Sequence, residues 1–310
     1  MARAPEPVWT RPIAGSPYPL TLAPAGSDPA NASRRVFAVA AVVVLLAAYV
    51  IVVPLINTGV IYLGFVTEAP GTNWAAYSKN ASGFGTVWGV LAAHLGLAAM
   101  IFVVWGLFHF MHHRPLSWLW SVSPGVRWRY AFLAFVASAV LLGAYAAYNW
   151  VRSDGWNPPD GWVWYVVVVV LTTPFQALAE EVMFRGYLMG VFGLIMRNVW
   201  FPVVGTALVF ALMHGVQNPW LFADRFAFGL LAGVLVWKTG GLEAAVAIHV
   251  VNNLCAFGLG IATGTLAQTR TTTAVGWSQA AWDVGTFAAC AAACWGIARW
   301  LRVPVKVKEG

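Results

Sequence analysis

Charge is scarce in this sequence: only 9% of its 310 residues are Asp, Glu, Lys or Arg, against about 25% in a soluble globular domain. A globule of this size needs a polar exterior, so the shortage excludes an ordinary water-soluble protein. The three cysteines show no CxxC or CxxH spacing, which argues against a disulfide framework or a zinc finger. The net charge of +7 is spread over loops and ends, so no nucleic-acid-binding patch is expected.

Long apolar runs make up most of the sequence, and 60% of its residues are hydrophobic. A membrane-spanning helix needs about 20 apolar residues. The sequence therefore predicts an all-α polytopic membrane protein with about eight transmembrane helices. The candidate spans are 36–56, 85–110, 130–149, 161–194, 199–216, 225–238, 242–263 and 281–300. The fourth run is too long for one perpendicular span, and Pro174 inside it is a candidate kink site.

Three regions are expected along the chain: a disordered tail at 1–35, a transmembrane domain at 36–302 and a basic tail at 303–310. The first 33 residues are rich in Pro, Ala and Ser, and no cleavable signal peptide is predicted there. If the eight spans alternate, most Lys and Arg residues fall on one side, which predicts that both termini are cytoplasmic. These residues are Arg34, Arg35, Arg114, Arg127, Arg129, Arg197, Lys238, Arg299, Arg302, Lys306 and Lys308.

Two adjacent glutamates, Glu180 and Glu181, lie in the apolar run 161–194, whose only other charge is Arg185. A carboxylate in hydrocarbon costs about 3 kcal/mol on insertion scales, so it marks a functional site by default. Residues four apart share a helix face, so Glu181 and Arg185 are expected to pair. Glu180 lies about 100° away. It is expected to have no partner one turn away, where Gln176 and Phe184 stand, and so to be chemically available.

A histidine follows at a matching depth. Arg197 is the expected turn between two antiparallel helices, and Glu180 and His214 each lie 17 residues from it. A Glu and a His brought together in a dry cavity can bind and activate a water molecule. Phe210 is one turn from His214 and is expected to hold the imidazole by packing.

A third group of polar residues is the run His249 to Asn253. His249 and Asn253 are four apart and share a face, so that face presents an imidazole and a carboxamide. Both are suitable donors to a developing oxyanion. Asn252 points about 100° off this face and is the weaker candidate.

The three motifs read EEVMFRGYL, FALMH and HVVNN in this chain. In this order they resemble the CPBP intramembrane proteases, which include the Rce1-type CAAX prenyl endopeptidases. The resemblance covers about 160–262 and implies a conical helix bundle around a polar intramembrane cavity. It implies Glu180 as general base, His214 as a holder of the water or of a metal, and His249 with Asn253 as the oxyanion-stabilising pair. It also implies that Glu181 and Arg185 support the site from behind.

The resemblance leaves the cofactor open. Glu180, His214 and His249 could complete a three-ligand zinc site with an open position, or the glutamate could act without metal. The HExxH pattern of soluble zinc proteases is absent.

The predicted function is an intramembrane endopeptidase that cleaves a membrane-associated protein or peptide within the lipid bilayer of a bacterial cell membrane. No nucleic acid is expected as a partner, and neither a prenylated substrate nor an oligomeric state can be assigned. One alternative is a non-proteolytic scaffold or immunity-type protein with the same fold. A proton-coupled transporter, with Glu180 and Glu181 as proton relay, is the less favoured alternative. Such transporters often have two related halves, and no internal repeat is visible.

Overall fold

The computed structural model describes residues 12–23 and 32–308. This part of the chain is helical, with two isolated β-bridges and no strand. The helices are α1 (Ala32–Glu68), α2 (Trp74–Ser82), α3 (Val87–Ala98), α4 (Met100–Gly106), α5 (Ser117–Trp120), α6 (Trp128–Val151), α7 (Trp162–Glu181), α8 (Met189–Ile195), α9 (Trp200–Leu212), α10 (Pro219–Thr239), α11 (Glu243–Ala262), α12 (Leu266–Thr271) and α13 (Trp277–Trp300). Two π-helical segments, Leu107–Met111 and Val182–Leu188, continue α4 and α7.

Seven helices in the described residues are long and apolar enough to cross a membrane, so the expected polytopic helical protein is confirmed. The eighth expected span, 199–216, is the shorter apolar helix α9. Its successor α10 begins at Pro219, earlier than the expected 225. The reason is local: the Asn218 side chain accepts a hydrogen bond from the Leu221 amide, and Pro219 occupies the first turn. Both features favour a helix start.

The longest helical stretch runs from Trp162 to Ile195 and contains the first motif. Pro174 lies inside α7, and the stretch continues through the π-helical segment that starts directly after Glu181. Every residue from Val182 to Leu188 is buried. π-helical turns are rare and often occur at functional sites. This one lies between the two glutamates and the end of the span.

One end of the bundle, called the basic end here, is formed by residues 12–23, 112–127, 196–199, 239–243 and 301–308. Its loops are joined to one another. Arg127 forms an ion pair of 2.6 Å with Glu243 and donates to the carbonyl oxygens of Thr239 and Pro304. Ser121 and Gly241 form one β-bridge, and Pro17 and Lys306 form the other.

Residues 12–23 differ from the disorder expected for 1–35. Tyr18 and Leu22 are buried. Tyr18 donates to the Leu119 carbonyl, and Arg114 donates to the Leu22 carbonyl. The apolar side chains of this short segment therefore give it a place on the basic end. Residues 1–11 and 24–31 of the expected tail lie outside the described part, and the boundaries of the three regions stay predictions.

The opposite end, called the far end here, is formed by residues 69–86, 152–161, 213–218 and 263–276. The backbone N–H of Asn157 donates to the Ala262 carbonyl, and the backbone N–H of Asn218 donates to the Thr273 carbonyl. The Arg270 guanidinium lies 5.8 Å from the ring centre of Phe84. These contacts bring the far-end loops together around the helix termini. Lys and Arg are more numerous at the basic end than at the far end. This difference indicates how the two ends are oriented in a membrane.

Candidate active site

A fully buried ion pair forms the base of the site. Glu181 Oε1 and Arg185 Nη1 are 2.6 Å apart, and both side chains have no exposed surface. The expected pairing is present, with the π-helical segment beginning between its two partners. His249 adds a third group, because its Nδ1 lies 2.7 Å from the same Glu181 oxygen. A carboxylate paired with Arg185 can only accept, so His249 Nδ1 carries the proton in this contact.

Aromatic rings enclose the Arg185 guanidinium. Its central carbon lies 4.4 Å from the ring centre of Phe210, with Phe184 and Phe228 at 5.9 and 5.7 Å. The ring faces are electronegative, so they favour the cation in a place that water does not reach. Phe210 therefore contacts both the buried ion pair and His214, which lies four residues later, just past the end of α9.

Glu180 is in a different environment from its neighbour. Its side chain keeps 12% of its surface exposed, and it lines the cavity described below. One carboxylate oxygen, Oε1, accepts a hydrogen bond of 2.7 Å from Gln176 Nε2. The other oxygen, Oε2, lies 3.5 Å from His249 Nε2. That distance is too long for a good direct hydrogen bond.

Gln176 is the residue that the sequence interpretation missed. Glu180 was expected to have no partner one helical turn away, and this expectation is wrong. The Gln176 amide nitrogen binds Glu180, and its oxygen accepts a bond of 2.9 Å from Asn253 Nδ2. Asn253 Oδ1 in turn accepts from Asn252 Nδ2 at 3.2 Å. A glutamine one turn before a glutamate in an apolar run was the signal, because such side chains interact at this spacing.

His214 lies in the cavity wall beside Phe210. Its Nδ1 lies 2.7 Å from the Phe210 carbonyl oxygen, and the two rings are 4.6 Å apart in an edge-on arrangement. A carbonyl only accepts, so Nδ1 carries a proton and a neutral ring keeps its lone pair on Nε2. The expected packing by Phe210 is present, with a backbone hydrogen bond in addition. His214 therefore offers an acceptor to the cavity.

A cavity of about 420 Å³ brings the expected site residues together. Its wall includes all four residues expected to be catalytic, Glu180, His214, His249 and Asn253. Glu181 and Arg185 lie behind this wall, and Phe210 is part of it. The wall has further polar members that the sequence did not assign to the site: Gln176, His94, Asp224, Arg225, Asn252, Thr269, Arg270 and Thr272.

The residues do not fit a metal site. Within the described ranges, no group of three or more His, Cys, Asp or Glu residues converges well enough to hold an ion. His249 directs Nδ1 to Glu181 and His214 directs Nδ1 to a carbonyl, so Nε2 is the remaining nitrogen of each ring. A three-ligand zinc site needs three donors at about 2 Å from one point. The sequence allowed a three-ligand zinc site made of Glu180, His214 and His249, and these three residues do not form one in the described structure.

Comparison with known proteins agrees with the motif resemblance. Residues 161–255 match the family model described as "Type II CAAX prenyl endopeptidase Rce1-like". The uncharacterized protein YyaK of Bacillus subtilis (strain 168) is 26% identical over 168 residues, which are 50% of this chain and 56% of that protein. No solved structure matches the chain. The matched segment contains all seven expected site residues. The resemblance to the CPBP-type, Rce1-like endopeptidases that the three motifs predicted is confirmed over residues 161–255.

Proposed function

We propose that the protein is an intramembrane endopeptidase that hydrolyses a peptide bond of a membrane-associated protein or peptide. The protein would lie in a bacterial cell membrane with both termini in the cytoplasm. The endopeptidase description of the matching family model and the seven apolar helices support this proposal.

The proposal rests on one observation: the two oxygens of the Glu180 carboxylate have different environments. Gln176 holds Oε1 at 2.7 Å, while Oε2 faces the cavity 3.5 Å from His249 Nε2. A general base must be fixed in direction and still reach a proton in the substrate complex. A carboxylate held by one oxygen and open at the other meets both requirements. Glu181 is also fixed in direction, but it has no exposed surface from which to reach a proton of the substrate complex.

In the proposed reaction, a water molecule lies between Glu180 Oε2 and His214 Nε2 and donates one hydrogen to each. Glu180 takes the first proton as the water oxygen forms a bond to the peptide carbonyl carbon. The tetrahedral intermediate then expels the amine, to which Glu180 returns the proton as the C–N bond breaks. Water attacks directly, so no acyl-enzyme intermediate is formed.

The oxyanion of that intermediate would be stabilised by Asn253 and His249. Asn253 Nδ2 has two hydrogens, of which one is given to Gln176. The other is available to the oxyanion. His249 can donate from Nε2 only when the ring is protonated, because Nδ1–H is already directed to Glu181. Glu181 and Arg185 would act by fixing the position of this ring.

The test is peptide hydrolysis by the purified full chain in proteoliposomes, using a quenched-fluorescence peptide library. We expect activity in wild type and its loss in Glu180→Gln. Glu68→Gln is the matched control, because Glu68 is an exposed far-end carboxylate whose change has the same chemistry. Equal activity of Glu180→Gln and wild type would refute the mechanism. A phenotype in cells that Glu180→Gln supports as well as wild type would favour the scaffold alternative.

A further inference from the structure

We propose that the cavity opens away from the cytoplasm, so that the substrate is a flexible peptide segment exposed on the extracytoplasmic face of the membrane. This inference rests on the proposed endopeptidase function. It adds the side of the membrane from which the substrate arrives and the kind of segment that can reach Glu180.

The lining of the cavity shows the end at which it opens. Six wall residues belong to the far-end segments: Phe84, Met213, His214, Thr269, Arg270 and Thr272. From there the wall continues along the helices to Glu180 and His249. Among the described residues that line the cavity, none comes from the segments that define the basic end. The cavity therefore runs from the far end inward and stops at the buried ion pair.

The basic end is closed by packing. A Cβ atom on Gly193 would lie 2.1 Å from the Pro19 carbonyl oxygen, so the segment 12–23 presses directly on α8. A Cβ atom on Gly186 would lie 2.9 Å from the Leu119 side chain, which closes the space next to the π-helical segment. Leu242, Ala244 and Ala245 have no exposed surface at the start of α11. These contacts pack the described segments of the basic end tightly against the helices.

The charge distribution orients the two ends. Ten described Lys and Arg residues lie at or near the basic end, where Glu243 is the one carboxylate among the described residues and is paired with Arg127. The ten are Arg35, Arg114, Arg127, Arg129, Arg197, Lys238, Arg299, Arg302, Lys306 and Lys308. Four others lie at or near the far end, Lys79, Arg152, Arg225 and Arg270, together with the carboxylates Glu68, Asp154, Asp160, Asp224 and Asp283. Short loops rich in Lys and Arg stay in the cytoplasm, so the far end faces outward.

Depth limits the kind of substrate. Glu180 lies 18 residues from Trp162, the far-end start of α7, which is about 27 Å along a helix. His249 lies 13 residues from Ala262, the far-end terminus of α11, or about 20 Å. An extended chain advances about 3.4 Å per residue. Roughly six to eight extended residues are therefore needed to bring a peptide bond from the far-end termini of α7 and α11 to Glu180 and His249. A folded domain cannot do this, whereas a flexible terminus or loop can.

The orientation is tested by labelling introduced cysteines with a membrane-impermeant maleimide in intact cells of a host without an outer membrane. The parent chain carries Cys255→Ser, because Cys290 and Cys294 are fully buried and Cys255 is not. Thr272→Cys reports the cavity mouth, and Lys308→Cys reports the basic end. We expect label on Thr272→Cys in intact cells and on Lys308→Cys only after lysis. The reverse pattern would overturn the proposal. Asp154→Cys, on another far-end loop, repeats the test if Thr272→Cys does not accumulate.

The substrate class is tested by mapping cleavage sites that depend on Glu180 in the host membrane proteome. We expect them on the extracytoplasmic side, in segments with at least six flexible residues between the bilayer or a folded domain and the cut bond. Cytoplasmic cleavage sites would overturn this inference while leaving the peptidase intact. Outward labelling of Thr272→Cys without any Glu180-dependent cleavage would instead refute the proposed function and the substrate claim, and leave the orientation standing.

Discussion

Two neighbouring carboxylates in one helix occupy two different layers of the protein. Glu181 has no exposed surface, and it is bound by Arg185 at 2.6 Å and by His249 at 2.7 Å. Glu180 keeps part of its surface in the cavity, where an uncharged amide holds it. The rotation of about 100° between successive helix residues is enough to place one group in a closed layer and the next in an open one. In the proposed mechanism, the closed layer fixes the geometry of the site and the open layer exchanges protons with water and substrate.

Glu180→Gln is expected to cause the largest loss of activity, and it tests whether Glu180 and Glu181 have different roles. The amide cannot take a proton from water, and general acid–base catalysis contributes about 10²–10⁴-fold to a rate. We expect kcat for peptide hydrolysis to fall by about that factor, with folding unchanged because the side chain lies in the cavity wall. The measurement is single-turnover hydrolysis, with thermal unfolding as the control. A variant that unfolds as easily as an Arg185 variant would place Glu180 in the closed layer instead.

Arg185→Leu is expected to damage stability more than any change in the open layer. Removing one partner of a buried pair leaves the other charge unpaired, which costs about 3–5 kcal/mol. Unfolding in a denaturing detergent mixture measures the loss, with Lys79→Leu as an exposed control.

The double variant Glu181→Leu with Arg185→Leu sharpens the interpretation. It leaves no orphan charge, so we expect it to be more stable than Arg185→Leu alone. It should still be inactive because His249 loses the acceptor for Nδ1. A double variant less stable than the single one would contradict the account of the closed layer.

Gln176→Leu should give a smaller effect, confined to the open layer. A hydrogen bond to a charged group contributes about 1.5–3 kcal/mol, so we expect kcat to fall roughly 10- to 100-fold with little change in KM. Because Gln176 also holds Asn253, the combined variant with Asn253→Ala should lose less than the product of the two single losses. Fully multiplicative losses, or a change in KM alone, would show that Gln176 does not link these two groups.

The smallest effect is expected from Asn252→Ala. Asn252 donates to Asn253 at 3.2 Å and sits at the end of the amide chain. A neutral side-chain hydrogen bond contributes about 1 kcal/mol, so we expect a rate loss of roughly fivefold or less. Asn253→Ala is the matched comparison on the same helix and should lose more. Equal losses would assign Asn252 a direct role.

Motif spacing predicted two of the observed contacts, because spacing along a helix determines which side chains share a face. Glu181 with Arg185 and Phe210 with His214 are of this kind. The contacts of His249 with both glutamates and of Asn253 with Gln176 join different helices. Tertiary packing decides these contacts, and no local pattern contains them.

The span boundaries show the same division. Composition alone predicted a helical membrane protein. The run of apolar residues, however, placed the start of α10 at 225, six residues later than its observed start at Pro219. Asn218 as N-cap and Pro219 in the first turn mark the true start of α10. A prediction based only on apolar residues does not use them. The π-helical segment after Glu181 has no sequence signature in this chain. Neither does the packing of residues 12–23 on the basic end, because it depends on loops more than a hundred residues away.

The most direct test of the central claim is a comparison of membrane-protein termini between two host strains that lack the native gene. One strain carries the wild-type chain and the other carries Glu180→Gln at matched abundance. The account predicts new termini in the wild-type strain that are absent from the variant strain. Identical termini in the two strains would contradict the claim that Glu180 activates water for peptide hydrolysis.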